Sequence, residues 1–473
     1  MPSDGLVQIS SIATRYKPSR YNILVAKGKG AVLFNSFSTA LARLDSEQYG
    51  IVRRILEGNS EAAESTAEES LRQQLIKGNF LIPESMDEIK WLKTKNRLTR
   101  FTSPELGMIV APTLRCNFAC EYCYVDLNAN KMSTETRRRV KAFFDYRLQP
   151  GSAANVVFTG GDPSLAMDVV EELSTFFQQA CDAKSCRYSP ALITNGYLLD
   201  EEMSRALLAG NIHDVQISLD GSREYHDVTR CLAGGKPTFD RILDNIASCC
   251  EAIRCHLRIN VTLENHQAIP GLLDELARRG IASRVAVYFS PVDDVNENSH
   301  GYAQHVLEPA AYAQFEPTLI RKAIACGFTM SGYLMHKSIG QFCGANSHNY
   351  FVVDSNGSLL KCYHDFGSAD SKGIGYINED GKEVITSEDN LVKWLSWDPF
   401  EIDECSHCRV LPLCMGGCSH KIMNSGMNVE KGCLTLRMNV EEIVALYDDA
   451  FADGRAYQLR CSKCAGASLA PHA

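Results

Sequence analysis

Cys116-Asn117-Phe118-Ala119-Cys120-Glu121-Tyr122-Cys123 follows directly on an apolar run, Met108-Ile109-Val110-Ala111-Pro112-Thr113-Leu114. A loop this short can close three thiolates around one metal centre. Thiolate sets of this kind bind zinc or an iron–sulfur cluster. A structural zinc takes a fourth protein ligand, and after Cys123 no Cys or His recurs until Cys181. Three ligands on a four-iron cube leave one iron open to a small molecule.

Outward from this loop, residues 107–292 alternate strand and helix. Apolar, β-rich runs fall at residues 108–114, 156–159, 191–194, 215–219, 259–263 and 285–289. Between the last three lies a helical stretch with Phe239, Ile242, Leu243, Ile246 and Ile253 on one face. Six successive βα units predict a parallel sheet with covering helices. Spacing alone does not separate a partial barrel from a doubly wound sheet. Three further motifs follow strand ends, where parallel α/β folds place their sites. They are Gly160-Gly161-Asp162-Pro163, Thr194-Asn195-Gly196, and Ser218-Leu219-Asp220-Gly221 with His226 and Arg230 beyond it. A second cysteine set runs Cys343, Cys362, Cys405-x2-Cys408-x5-Cys414-x3-Cys418 and Cys433, with Gly357 before Cys362. A zinc ribbon is the alternative for its CxxC half.

These motifs together resemble the radical S-adenosylmethionine (SAM) enzymes that carry a C-terminal SPASM domain, in particular their peptide-modifying maturase branch. The resemblance implies a partial (β/α)6 barrel. It implies that Cys116, Cys120 and Cys123 hold a [4Fe–4S] cluster whose open iron takes SAM, yielding a 5′-deoxyadenosyl radical. Tyr122 is then expected near the adenine, and Gly160, Gly161 and Asp162 at the methionyl amine, where Asp162 stands for the usual Glu. Asn195 is expected along the cofactor, Ser218 at the ribose, and Arg230 on the carboxylate, which its planar fork suits. His226 and Asp227 read as structural loop contacts. Cys405, Cys408, Cys414 and Cys433 are implied to hold one auxiliary [4Fe–4S] cluster, and Cys343, Cys362 and Cys418 another, making three clusters in all.

The 473 residues suit two or three domains, read here as 1–100, 101–310 and 311–473. The first reads as a winged-helix-like unit with a hairpin around Lys27-Gly28-Lys29-Gly30 and three helices, and the resemblance implies that it recognises the precursor peptide. The last carries the auxiliary cysteines and a tail with Cys461 and Cys464. A 45% hydrophobic, 22% charged composition with a net charge of −9 is that of a globular protein and argues against a nucleic-acid partner. No signal peptide and no bilayer-length apolar run is visible, which predicts a cytoplasmic protein with no membrane partner. In that compartment nineteen Cys are ligands, catalytic thiols or core residues rather than disulfides. Cys181, Cys186, Cys231, Cys249, Cys250, Cys255 and Cys326 fall outside the motifs and read as packing residues.

The expected activity is radical modification of a ribosomally made precursor peptide, forming a thioether or carbon–carbon crosslink, with flavodoxin or ferredoxin as electron donor. A second reading is an anaerobic sulfatase-maturing, formylglycine-forming enzyme. Those enzymes carry Asp directly after the second SPASM cysteine, whereas Tyr363 follows Cys362 here and the nearest carboxylate, Asp365, is the candidate catalytic group. A zinc-binding regulator is a third.

Overall fold

The computed structural model describes residues 15–58, 65–296, 298–330 and 340–452. The chain opens with β1 (Tyr16–Pro18), β2 (Asn22–Lys27), β3 (Gly30–Asn35) and β4 (Leu41–Leu44). The predicted hairpin joins β2 to β3, turning through Gly28 at φ +61°. With β4 these strands form a three-stranded antiparallel sheet. Helix α1 (Ser46–Leu56) starts at Asp45, whose carboxylate accepts from the Glu47 and Gln48 amides while Gln48 reaches back to the Asp45 amide, a capping box. Helix α2 (Thr66–Lys77), β5 (Leu81–Pro83, paired with β1) and α3 (Glu88–Thr102) complete the N-terminal part.

Then β6 (Leu106–Thr113), α4 (Thr134–Arg147), β7 (Ala153–Gly160), α5 (Met167–Ala183), β8 (Arg187–Thr194), α6 (Glu201–Ala209) and β9 (Asp214–Leu219) follow. They lead to α7 (Arg223–Thr229), α8 (Phe239–Cys249), β10 (Arg254–Val261), α9 (Ile269–Arg278), β11 (Ala286–Pro291), α10 (Pro309–Ala325) and β12 (Thr329–Met330). Strands β6 to β12 are parallel neighbours in unbroken sequence order. An order without reversal excludes a doubly wound sheet. Right-handed crossovers then put every helix on one face. On that face Val215, Ile217, Leu219, Leu257, Ile259 and Val261 pack with the helices in the main core. The alternating positions Gln216, Ser218, Arg258, Asn260, Tyr288 and Ser290 turn the other way, so the inner face is polar. The predicted face of α8 is buried through Ile246, but Ile253 lies beyond the helix end, in the connection to β10. The βα alternation also continues past residue 310 through α10 and β12.

On the far edge, β13 (Tyr350–Val353) pairs parallel with β6 and starts an antiparallel run with β14 (Ser358–Leu360), β15 (Gly375–Ile377) and β16 (Glu383–Ile385), giving an eleven-stranded sheet. Short helices surround it: α11 (Ala369–Lys372), α12 (Glu388–Leu395), α13 (Asp403–Ser406), α14 (Leu411–Cys414), α15 (Ser419–Asn424) and α16 (Val429–Gly432). The last, α17 (Leu436–Ala452), breaks at Asn439, whose amide donates to Ala313 O and Glu316 Oε2 on α10, both at 2.9 Å. No helix among the described residues is long and apolar enough to cross a membrane.

The first hundred residues share their core with the C-terminal cysteines. Ile23, Val32 and Phe34 pack with Val410, Cys414, Val440 and Val444, and Tyr21 and Leu92 pack with Cys405, Leu411 and Met415. Arg100, at the end of α3, is buried and donates to the carbonyls of Asn346 (2.9 Å), Trp397 (2.6 Å) and Leu395 (2.8 Å). Replacing Arg100 by Leu leaves these buried acceptors unpaired, a cost on the order of 3 kcal/mol. Thermal unfolding is expected to shift clearly downward in Arg100→Leu. Arg97→Leu, which removes only an exposed contact to Asp398 at 3.4 Å, should change little. Equal midpoints for the two variants would contradict this role for Arg100.

Candidate active site and cysteine centres

The cysteine loop is gripped from two sides. The Gly161 and Asp162 amides at the end of β7 donate to Thr113 O (3.0 Å) and Arg115 O (2.7 Å). A Cβ on Gly161 would meet Arg115 O at 2.2 Å, so this glycine is required by the loop itself. From the other side, Ala119 N donates to Cys231 O (3.1 Å) and Ala233 N to Asn117 O (2.9 Å), with Phe118 bridged to Leu232. The Asp162 carboxylate is buried and fully engaged: it accepts from Thr194 Oγ1 (2.9 and 3.0 Å), Asn195 N (2.7 Å) and Ser164 N (2.9 Å). Asn195 in turn donates to Asn117 Oδ1 at 2.7 Å, so the second and third strand ends and the loop form one hydrogen-bonded unit.

Within it the three thiols converge. Burial pushes Cys116 up to about 11 and Cys120 up to about 12, and Cys123 upward as well, and neighbouring thiols further oppose ionisation of Cys116 and Cys120, while Arg230 works the other way. Buried clustered thiols of this kind hold their protons until a cationic centre displaces them. Beside them, the Tyr122 hydroxyl donates to Asp220 Oδ2 (2.5 Å) and accepts from Arg230 Nη1 (2.8 Å) and Asn260 Nδ2 (3.1 Å). Asp220 is fully buried, and Arg230 is 7% exposed with its Nε lacking a hydrogen-bond partner among the described residues. That nitrogen lies 3.8 Å from Asp220 Oδ1, an ion pair without a hydrogen bond, so the guanidinium beside the metal-binding loop keeps a donor for a carboxylate ligand. Ser218 is half-buried on the inner face of β9. His226 and Asp227 are local: His226 contacts Asp220 N and Thr238 Oγ1, and Asp227 accepts from the Thr238 and Phe239 amides.

The C-terminal cysteines form two sets. Cys405, Cys408, Cys414 and Cys433 line one cavity with Arg437 at its edge. Burial and the neighbouring thiols raise Cys405 to about 11 and Cys414 higher still. Cys343, Cys362 and Cys418 lie together elsewhere, the Cys362 thiol pushed well up by burial and by nearby groups including Asp365, Cys343 and Cys418. Both sets have the donor chemistry of iron–sulfur sites. Cys181, Cys249, Cys250 and Cys255 are buried and Cys186, Cys231 and Cys326 half-buried; Cys461 and Cys464 lie outside the described residues.

Between the first loop and the Cys343 set runs an aromatic bridge. Tyr124, next after Cys123, packs edge-on against Tyr363 (5.8 Å) and His364 (4.6 Å), the two residues after Cys362. The Asn296 amide ties the Tyr124 and His364 carbonyls, both at 2.8 Å. Arg258 on the inner face of β10 reaches this bridge, since Tyr288, Tyr363 and Tyr124 all act on its charge. Asp365 meets His420 Nε2 at 3.1 Å, and the His420 ring packs edge-on against His364 at 5.4 Å. Sequence reading did not single out Tyr124, Asp220, Arg258, Asn260 or His420. Arg258 and Asn260 carried a signal: polar residues alternating with Leu257, Ile259 and Val261.

The Radical SAM superfamily domain matches residues 110–276, from β6 into α9. The chain carries a radical SAM domain. The cysteine-type anaerobic sulfatase-maturating enzyme of Clostridium novyi is 24% identical over 344 residues, 66% of this chain and 87% of that one. Fe-coproporphyrin III synthase of Methanosarcina barkeri is 31% identical over 202 residues, so the chain spans about half (47%) of that relative's length and matches over 41% of its own. Native anSMEcpe with bound AdoMet and Cp18Cys peptide superposes with TM-score 0.59 at 19% identity, covering 74% of this chain and 99% of that one. Streptococcus suis SuiB bound to precursor peptide SuiA gives TM-score 0.50 at 15% identity, covering 86% and 97%. At these identities the structural likeness establishes the fold. The family implies SAM and a [4Fe–4S] cluster, and the convergent Cys116, Cys120 and Cys123 with the orphaned Arg230 nitrogen fit both.

Arg230→Ala is expected to weaken SAM binding by roughly 30-fold, about 2 kcal/mol for a charge-assisted partner, with Arg230→Lys recovering only part. Equilibrium titration of the reconstituted enzyme measures this, and unchanged affinity in Arg230→Ala would remove the residue from the site.

Proposed function

We propose that this radical SAM enzyme is a SPASM-type maturase that modifies a ribosomally made precursor peptide, closing a thioether or carbon–carbon crosslink. The observation that carries the reading is the aromatic bridge, which brings the Cys116 loop and the Cys343 set into contact beside a polar inner face. Bound SAM and its cluster supply hydrogen abstraction from an unactivated C–H bond, and an auxiliary cluster accepts the electron left when the new bond closes. Cys116, Cys120 and Cys123 hold the first cluster. Cys405, Cys408, Cys414 and Cys433 hold one auxiliary cluster, and Cys343, Cys362 and Cys418 the other. Arg230 fixes the cofactor carboxylate, Tyr122 the adenine end, Ser218 the ribose, and Gly160, Gly161 and Asn195 line the cofactor path. Asp162 serves by bracing that path, since its oxygens are already engaged by protein donors. Arg258, Tyr288 and Tyr363 lie together beside the bridge, where a peptide side chain would approach the two cysteine sets.

Residues 1–100 form the winged-helix-like peptide-recognition part, 101–310 the partial barrel and 311–473 the SPASM part with its tail. Strand β4 is an edge strand of its sheet among the described residues, the kind of position at which a peptide strand can add. SuiB has been solved with precursor peptide SuiA bound, and anSMEcpe with a peptide. A flavodoxin or ferredoxin supplies electrons in a reducing cytoplasm, which suits the many free thiols.

The sulfatase-maturing reading draws on the Clostridium relatives. Against it stands Tyr363, at the position after Cys362. Its hydroxyl is held protonated by burial, far from the range of a general base. A zinc regulator is separated by metal analysis.

Anaerobic reaction of the enzyme with SAM, a reductant and short peptides encoded beside its gene, read by mass spectrometry, tests the reading. The expected product has lost two hydrogen atoms and carries a crosslink. Conversion of a single Cys or Ser to an aldehyde supports the sulfatase-maturing reading instead. In Cys116→Ala, 5′-deoxyadenosine formation should cease and bound iron fall by about four atoms. Continued 5′-deoxyadenosine formation would contradict the assignment of this loop.

A further inference from the structure

A four-iron centre on Cys343, Cys362 and Cys418 has one iron without a thiolate. Among candidates for that position, Cys326 sits at the end of α10 with its thiol 3.6 Å from Asp274, away from the Cys343 set. His348 Nδ1 lies 2.9 Å from Arg100 O. The Asp365 carboxylate is engaged by His420. Two imidazoles are left. The Cys362 sulfur and one ring nitrogen each of His364 and His420 all lie within 4.8 Å of one another. The Nδ1 atoms of both rings are buried without a hydrogen-bond partner among the described residues.

The two histidines differ in surroundings. His364 is half-buried and turned toward Tyr124, on the side of the first cysteine loop. The His420 side chain is 2% exposed and follows Cys418 by two residues, in the first turn of α15. Its ring lies nearly parallel to that of Trp394 at 6.0 Å. Its Nε2 is 3.1 Å from Asp365 Oδ1 and 3.0 Å from the Asn424 amide, so that nitrogen is enclosed by polar partners. A carboxylate behind one ring nitrogen fixes the tautomer and presents the other lone pair. This is the arrangement found behind most metal-binding histidines.

We propose that His420, through Nδ1, is the fourth protein ligand of the auxiliary centre held by Cys343, Cys362 and Cys418, with Asp365 as the residue that positions its ring. This rests on the reading that the three thiols hold a cluster. The consequence is functional. A neutral imidazole in place of a thiolate makes the cluster less negative and raises its reduction potential, as histidine ligation does in other iron–sulfur centres. It also closes the fourth iron to a peptide thiol. The centre then takes up an electron from the chamber rather than binding substrate.

The test uses the full chain with Cys116, Cys120 and Cys123 all changed to Ala, so that the auxiliary clusters alone give signals. It is reconstituted anaerobically with histidine carrying nitrogen-15, reduced, and studied by pulsed electron paramagnetic resonance. The expected spectrum contains a directly coupled histidine nitrogen that is lost in His420→Cys and kept in His364→Gln. Asp365→Asn should keep the nitrogen but alter its coupling. His420→Cys, which restores four thiolates, should also move the potential of this cluster to more negative values. About eight bound irons with no coupled nitrogen would overturn the proposal, as would a coupling lost in His364→Gln instead. About four irons, undiminished by a further Cys362→Ala change, would mean that the Cys343 set holds no cluster, and would overturn the auxiliary-cluster reading together with this one. If His420→Cys does not fold, the presence or absence of the coupled nitrogen in the unsubstituted background still decides.

Discussion

A loop with three half-buried thiols has little packing of its own to keep it in shape, and its apolar surroundings resist the charge its chemistry needs. Here the constraint is met by backbone hydrogen bonds from outside the loop. The end of β7 donates to Thr113 and Arg115, and the segment after Arg230 pairs with residues 117–119. Buried Asp162 binds the second strand end to the third. The glycines at 160 and 161 follow from the first contact, because a side chain there would strike the loop backbone. Arg230 is placed by the second, on the very strip that holds the cysteines.

The same economy extends to the rest of the chain. Each cysteine set is walled by residues distant in sequence. Tyr21 and Leu92 pack against Cys405, and Ile23, Val32 and Phe34 against Cys414. The N-terminal part is therefore built into the wall of a cysteine centre, and a ligand held there lies on a body continuous with that centre. The Cys343 set reaches the first loop through Tyr124, Tyr363 and His364. Burial holds the Tyr363 phenol well above its ordinary value, so it stands neutral between the two cysteine sets.

Much of this was legible in the residues. Six of the seven parallel strands from β6 to β12 announced themselves because each is a β-rich apolar run, and the cysteine sets because thiols at such spacing have few other uses. Strands β12 to β16 were not legible: two to four residues long, they are too short for any periodicity. The fate of Asp162 was hidden for a different reason. Its three donors come from two separate places in the chain, Ser164 and the Thr194–Asn195 strand end, and a carboxylate after two glycines reads equally well as facing a ligand or facing its own scaffold. His420 gave no signal at all, since its meaning lies in the neighbourhood of Cys362 and Asp365, some fifty-five residues earlier. Ile253 misled, because a helical period carried past the end of α8 into a residue buried for another reason.

The claim that this enzyme takes hydrogen from a peptide is tested most directly by following that hydrogen. A candidate precursor peptide deuterated at its aliphatic side chains, treated anaerobically with enzyme and SAM, should yield 5′-deoxyadenosine carrying deuterium, with the peptide losing the same label. 5′-Deoxyadenosine formed in step with peptide modification yet free of deuterium, from peptides labelled at every carbon position, would contradict the account.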